Sequence, residues 1–248
     1  MADANKKGLN VDSNSYTILY AAALVVVVAF LLAFISRSLK PTQDANVALD
    51  KKKQVLAALN IRDLTDTESA ATYNEVVKAD IITDVDGSVT DEGEEGGENA
   101  GFTLTSTDYK EGRLALYVCE VDGAVKYVVP VYGMGLWGSI WGFIAVNDDC
   151  NTVFGAYFNH ESETAGLGAE IKDSKAWQDK FKGKTIYSVE EDGTFSDVKL
   201  AVEKKVSDPE SEVDAVTGAT LTSDGVSLML SECLAKYKPL MYKLKNKK

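Results

Sequence analysis

Tyr16 to Ile35 reads YTILYAAALVVVVAFLLAFI, 20 residues without a charge. A helix of that length spans about 30 Å, the thickness of the hydrocarbon layer of a bilayer. A cleaved export signal carries a shorter apolar run with a small-x-small site close behind it. Here Ser36-Arg37-Ser38-Leu39-Lys40 follows instead, so the segment reads as a retained anchor. Whatever folds in water must lie outside it. The 15 residues before it are too few for a folded domain. The 208 residues after Lys40 are enough for one domain with its own core.

Charge decides less. Lys6 and Lys7 precede the anchor, while Arg37, Lys40 and Lys51 to Lys53 follow it. Two against five leans toward a cytoplasmic large domain. Lys51 to Lys53 sit at the limit of the counted window, however, and large domains translocate largely regardless of charge. The residues beyond Lys40 hold 22 basic and 36 acidic side chains. Such a domain repels a nucleic-acid backbone, which excludes a nucleic-acid partner. Cys119, Cys150 and Cys233 show no metal-ligand spacing and no Cys-x-x-Cys pair. Cys119 and Cys233 read as small buried hydrophobes, and no metal site is expected.

Pro41 follows the anchor, and Val47 to Leu59 and Thr67 to Lys78 have helical spacing, suggesting a neck. Ile81 to Val89 reads as extended, followed by the polar, glycine-rich loop Asp91 to Asn99. Asp84-x-Asp86-Gly87 resembles a calcium loop only in part, because its glycine comes too early. Arg113 to Val121 and Ala124 to Tyr132 form a strand pair about Asp122-Gly123, a strong hairpin signal. Gly133-Met134-Gly135-Leu136-Trp137-Gly138 spells a dinucleotide fingerprint. That fingerprint requires a helix to follow, and Ser139 to Val146 is β-rich, so the match is rejected. A strand over Thr152 to Asn159 leads to the only histidine, His160, and the loop Glu161 to Gly168. A short helix near Ala176 to Phe181 and a hairpin about Asp192-Gly193 come next. Val226, Leu230, Cys233, Leu234 and Tyr237 then mark the core face of a last helix. The expected fold class is α+β: a twisted, mainly antiparallel sheet flanked by helices, plus one N-terminal transmembrane helix. No nucleophile–base pair stands out, so no catalytic residue is assigned.

Asp214-Ala215-Val216-Thr217-Gly218-Ala219-Thr220-Leu221-Thr222-Ser223 places hydroxyls and small residues at an expected helix start. Unpaired N–H groups there favour a phosphate, and Gly218 and Ala219 let it approach the backbone. The plainer alternative is a strand-to-helix turn with Thr222 or Ser223 as N-cap. The string resembles the flavinylation motif in which FMN is held by a phosphoester on the last threonine, here Thr220.

Three motifs in order, Pro130-x-x-Gly133-x-Gly135-Leu136-Trp137-Gly138, Glu163-Thr164-x-Gly166-Leu167-Gly168 and Thr217-Gly218-Ala219-Thr220, together with one anchor, resemble the C subunit of the sodium-translocating NADH:quinone reductase. Thr217 stands where serine is more familiar, and Ala165 where proline is usual. The resemblance implies covalent FMN on Thr220, attached by a flavin transferase that draws on FAD. It also implies single-electron transfer toward quinone among other membrane subunits in a bacterial inner membrane. The implied site comprises Asp214 and Thr217 to Ser223 (Thr217, Gly218, Ala219, Thr220, Leu221, Thr222, Ser223). Leu136, Trp137, Thr164 and Leu167 border the ring, and Glu163, Gly166 and Gly168 shape its loop. The implied layout is a cytoplasmic tail (1–15), an anchor (16–35), a helical neck (36–80) and an extracytoplasmic FMN-binding domain (81–248), against the lean of the charge count. Two alternatives stay open: the flavoprotein subunit of the related ferredoxin-linked ion-pumping complex, and an anchored binding or sensory module that carries no electron.

Overall fold

The computed structural model describes residue 11 and residues 13–247; Lys6, Lys7 and most of the tail expected over 1–15 lie outside the described residues. The elements in chain order are α1 (Asn14–Ala58), α2 (Asp66–Val76), β1 (Val77–Thr83), β2 (Val89–Asp91), α3 (Ser106–Lys110), β3 (Leu114–Val121), β4 (Ala124–Met134), β5 (Ser139–Asn147), β6 (Val153–His160), α4 (Glu170–Asp173), α5 (Lys175–Gln178), β7 (Tyr187–Val189), β8 (Phe195–Val198), β9 (Ala201–Glu203), β10 (Glu212–Asp214) and α6 (Thr220–Asn246).

The chain divides into two compact units after Ala48. In the first, the apolar side chains from Ile18 to Leu39 are exposed, as suits a helix long and apolar enough to cross a membrane. Pro41, which follows the anchor, lies inside that helix. A proline removes one donor and crowds one carbonyl, and good helix-forming turns on either side can carry the helix past it.

The second unit, from Leu49 onward, is built on a six-stranded antiparallel sheet in the order β2-β1-β3-β4-β5-β6. Two-stranded pairs β7–β8 (antiparallel) and β9–β10 (parallel) lie beside it. Alternation along the strands sends Leu114, Leu116, Val129, Val131, Ile140 and Ile144 to one core with α6. There Val226, Leu230, Cys233, Leu234 and Tyr237 are all buried, the stripe read from the sequence. Each such aliphatic side chain contributes about 1.5–3 kcal/mol of burial. The opposite sheet face is covered too. Trp141 donates its indole N–H to Gln54 of α1 at 3.0 Å, and Val55, Leu56, Leu59 and Tyr73 are buried. Residues 49–80, part of the stretch read as a neck, therefore supply core side chains. With both faces covered, β4 reads as the near-continuous apolar run Tyr127 to Val131 rather than as an alternation.

Two boundaries differ from expectation. The strand expected over 81–89 runs from Val77 to Thr83, and the chain then turns at Asp84, whose Oδ1 accepts from the N–H groups of Asp86 and Ser88. Val77-Lys78-Ala79-Asp80 looks too polar for a central strand. It is one because the carboxylate of fully buried Asp80 accepts from the N–H groups of Glu94, Ala100 and Phe102. That carboxylate also anchors the acidic loop, which the sequence alone leaves solvated. Cys119, Cys150 and Cys233 are all buried.

Candidate functional site

Three segments meet at one end of the sheet. The β4–β5 hairpin closes through Gly135 N–H to the Gly138 carbonyl at 2.8 Å. This hairpin is why the dinucleotide fingerprint fails: strand, not helix, follows it. Its tip exposes Leu136 and Trp137, the latter 65% accessible. The second segment is the loop after β6. His160 Nδ1 accepts from Glu163 N–H at 3.1 Å, and the Thr164 carbonyl accepts from both Leu167 and Ala169. Ser162 Oγ donates to the Trp137 carbonyl at 2.9 Å, binding this loop to the hairpin.

The third segment is the start of α6. Thr220 is its first residue, and no side chain caps it. The N-cap by Thr222 or Ser223, the plainer alternative from the sequence, is thus absent, for both hydroxyls turn inward. Thr222 Oγ1 donates to Glu163 Oε2 at 2.6 Å, and Ser223 Oγ accepts from Val216 N–H at 3.0 Å. The first-turn N–H groups of a 27-residue helix stay free of side-chain partners, at the end where its dipole is positive. Thr217, Gly218, Thr220 and Leu221 are exposed there, while Ala219 is buried. The exposed Leu167 lies over Gly218, where a Cβ would meet its Cδ2 at 3.0 Å.

Asp214 stands apart from this cluster. Its carboxylate pairs with Lys180 at 2.8 and 3.0 Å, and its carbonyl accepts from the Trp177 indole at 2.8 Å. Thr164 and Gly166 are exposed on the second loop, and Gly168 is buried beneath it. Sequence reasoning missed two participants. Gly225 lets α6 approach the hairpin, since a Cβ there would stand 2.4 Å from the Met134 carbonyl oxygen; nothing in the sequence separates it from any other helix glycine. Gly135 is likewise a clearance position, next to Glu163 Oε1. Its place in a glycine-rich string was the available signal.

This arrangement suits a ligand with a phosphate and a flat, mostly apolar ring. An uncapped helix start meets the first, and exposed Leu136, Trp137, Leu167 and Leu221 meet the second. Similar proteins point the same way. A family described as FMN-binding domain matches residues 135–235, the stretch holding all three segments. The C subunit of the Na(+)-translocating NADH-quinone reductase of Pseudomonas aeruginosa is 30% identical over 245 residues, 92% of this chain and 94% of that protein. The chain belongs to this C-subunit family. The Haemophilus ducreyi member is 32% identical, covering 88% of each chain. The crystal structure of the Parabacteroides distasonis member matches with a TM-score of 0.72 and 34% identity, over 82% of this chain and 96% of that one. The α+β class, the mainly antiparallel sheet and the assignment to an FMN-binding family stand as read from the sequence.

Proposed function

We propose that the protein is the membrane-anchored flavoprotein subunit of a sodium-translocating NADH:quinone reductase, with FMN held as a phosphoester on Thr220. The observation that carries this reading is an exposed threonine at the first residue of an uncapped 27-residue helix, with exposed apolar side chains on the adjoining loops. The helix N–H groups and dipole hold the single negative charge of a phosphodiester. Thr217 and Gly218 leave the backbone open to it, and Leu136, Trp137, Thr164 and Leu167 border the ring. When attached, FMN supplies reversible electron uptake, passed on singly between partner subunits. The protein holds the carrier, keeps water from the ring faces and sets local polarity. In the maturation step Thr220 Oγ loses its proton and bonds to the flavin phosphorus, while the bond to the AMP portion of FAD breaks. A flavin transferase is the maturation partner.

Residues 16–35 span the inner membrane, with the tail in the cytoplasm and the flavin domain outside. An ester suits that placement, because a carrier lost into the volume outside that membrane is not recovered by rebinding. The test is to denature purified native protein and look for flavin fluorescence on the chain and for a modified peptide containing Thr220. Release of all flavin on denaturation contradicts the ester.

A further inference from the structure

Glu163 is 7% exposed and sits where the three segments meet. Its Oε1 accepts from Trp137 N–H at 2.8 Å, and its Oε2 accepts from Thr222 Oγ1 at 2.6 Å. One carboxylate thus joins the hairpin tip to the first turn of α6, two residues from Thr220. The neighbouring glycines make room for it. A Cβ on Gly135 would stand 2.5 Å from Oε1, and one on Gly168 would stand 2.4 Å from Oε2 and 2.6 Å from Thr222 Oγ1.

Among the described residues no lysine or arginine forms an ion pair with Glu163. A buried carboxylate without a cation is a poor way to gain stability, since an apolar side chain of similar volume fills such a space at lower desolvation cost. What the apolar side chain cannot do is accept two hydrogen bonds from two different segments. The residue is itself anchored, through its N–H on His160 Nδ1.

We propose that Glu163 is a positioning residue for the flavin acceptor. By holding Thr222 and the Trp137 backbone at once, it fixes the uncapped start of α6 against the ring-facing loop before any flavin arrives. It replaces the missing N-cap in ordering that turn while leaving the first N–H groups open. The inference rests on Thr220 being the acceptor.

The test uses the full chain in detergent, purified flavin transferase and FAD, with covalent flavin followed by gel fluorescence and mass. Glu163→Ala is expected to slow flavinylation by roughly tenfold to a hundredfold, the cost of a misplaced acceptor. Glu163→Gln keeps both contacts, its amide oxygen accepting from Trp137 N–H and its amide N–H donating to Thr222 Oγ1, and is expected to restore a rate near wild type. Thr222→Val removes one bond with almost no change of shape, slows attachment and displaces the midpoint potential of the flavin that is attached; Thr222→Ser restores both. If Glu163→Ala does not fold, the Thr222 pair decides. Wild-type flavinylation in Glu163→Ala or Thr222→Val overturns the proposal. So does a folded Glu163→Gln as slow as Glu163→Ala, which would assign the effect to charge instead of hydrogen bonding. Thr220→Ala run alongside separates the two readings: covalent flavin on that variant overturns Thr220 as acceptor and this proposal with it, whereas no covalent flavin there beside wild-type flavinylation in Glu163→Ala overturns this proposal alone.

Discussion

Gly168→Ala adds one methyl group at the most crowded point of the site. Gly168 has no positive φ, so alanine suits its backbone, and the reduced freedom of the unfolded chain favours the variant by about 0.4–1 kcal/mol. The methyl, however, would stand 2.4 Å from Glu163 Oε2 and 2.6 Å from Thr222 Oγ1, far inside contact distance. The bond between those two atoms must open or the loop must shift. Losing a buried hydrogen bond to a charged group costs about 1.5–3 kcal/mol, and overpacking adds about 1–3. The net expectation is a loss of about 1.5–5.5 kcal/mol, or roughly 3–20 °C in Tm for a domain of this size. Gly166→Ala is the contrast. Its φ is +71°, with nothing within 4 Å of an added Cβ, so it loses only about 1–2 kcal/mol of left-handed backbone strain. Urea and thermal unfolding of the full chain in detergent measures both. If Gly168→Ala unfolds at the wild-type midpoint, or if Gly166→Ala is the more damaging of the two, the close-approach reasoning is wrong.

Leu230→Ala empties a fully buried position between α6 and the sheet and is expected to cost about 2–5 kcal/mol in the same unfolding assay. Asp80→Ala leaves the N–H groups of Ala100 and Phe102 buried without their acceptor; protease should then cut within 91–99 much faster, and equal cutting rates would refute the anchoring role. Burial pushes Lys51 down to about 8 from 10.5. Between those values the unfolded chain binds more protons than the folded one, so this lysine makes stability rise from pH 8 toward 10.5; Lys51→Met should flatten that slope in urea midpoints measured across the range. Protease applied to the outer face of intact spheroplasts should digest the flavin domain, and protection until lysis would reverse the proposed topology.

The sheet was readable where local chemistry fixes it. Asp122-Gly123 announces the β3–β4 hairpin, and the failure of a helix after Gly138 announces β5. The apolar stripe of α6 was equally plain, because its period is helical and its residues all bury. What was not readable depends on partners distant in sequence. Val77 to Asp80 is strand only because loop N–H groups some 14 to 22 residues later solvate Asp80. At the site, Thr220, Leu136, Trp137 and Leu167 are exposed. Glu163, Thr222 and Ser223 belong to the site that the resemblance implies, yet their polar side chains turn to the protein. Alternation along a loop has no fixed period, so no spacing rule could have separated the two sets.

The three buried thiols set a condition on how the chain reaches this structure. Cys119 lies in β3, Cys150 in the turn before β6 and Cys233 in α6, and burial raises the pKa of Cys119 and Cys233. In the finished fold Cys119 and Cys233 are therefore poor nucleophiles, and burial shelters all three sulfurs from oxidants. During folding they are not. If the domain matures outside the cytoplasm, as proposed, sheet closure competes with oxidation, and any cross-link made first removes a side chain from the core. Because each thiol reacts only after its own region opens, alkylation rates at the three positions offer separate clocks for sheet, turn and final helix.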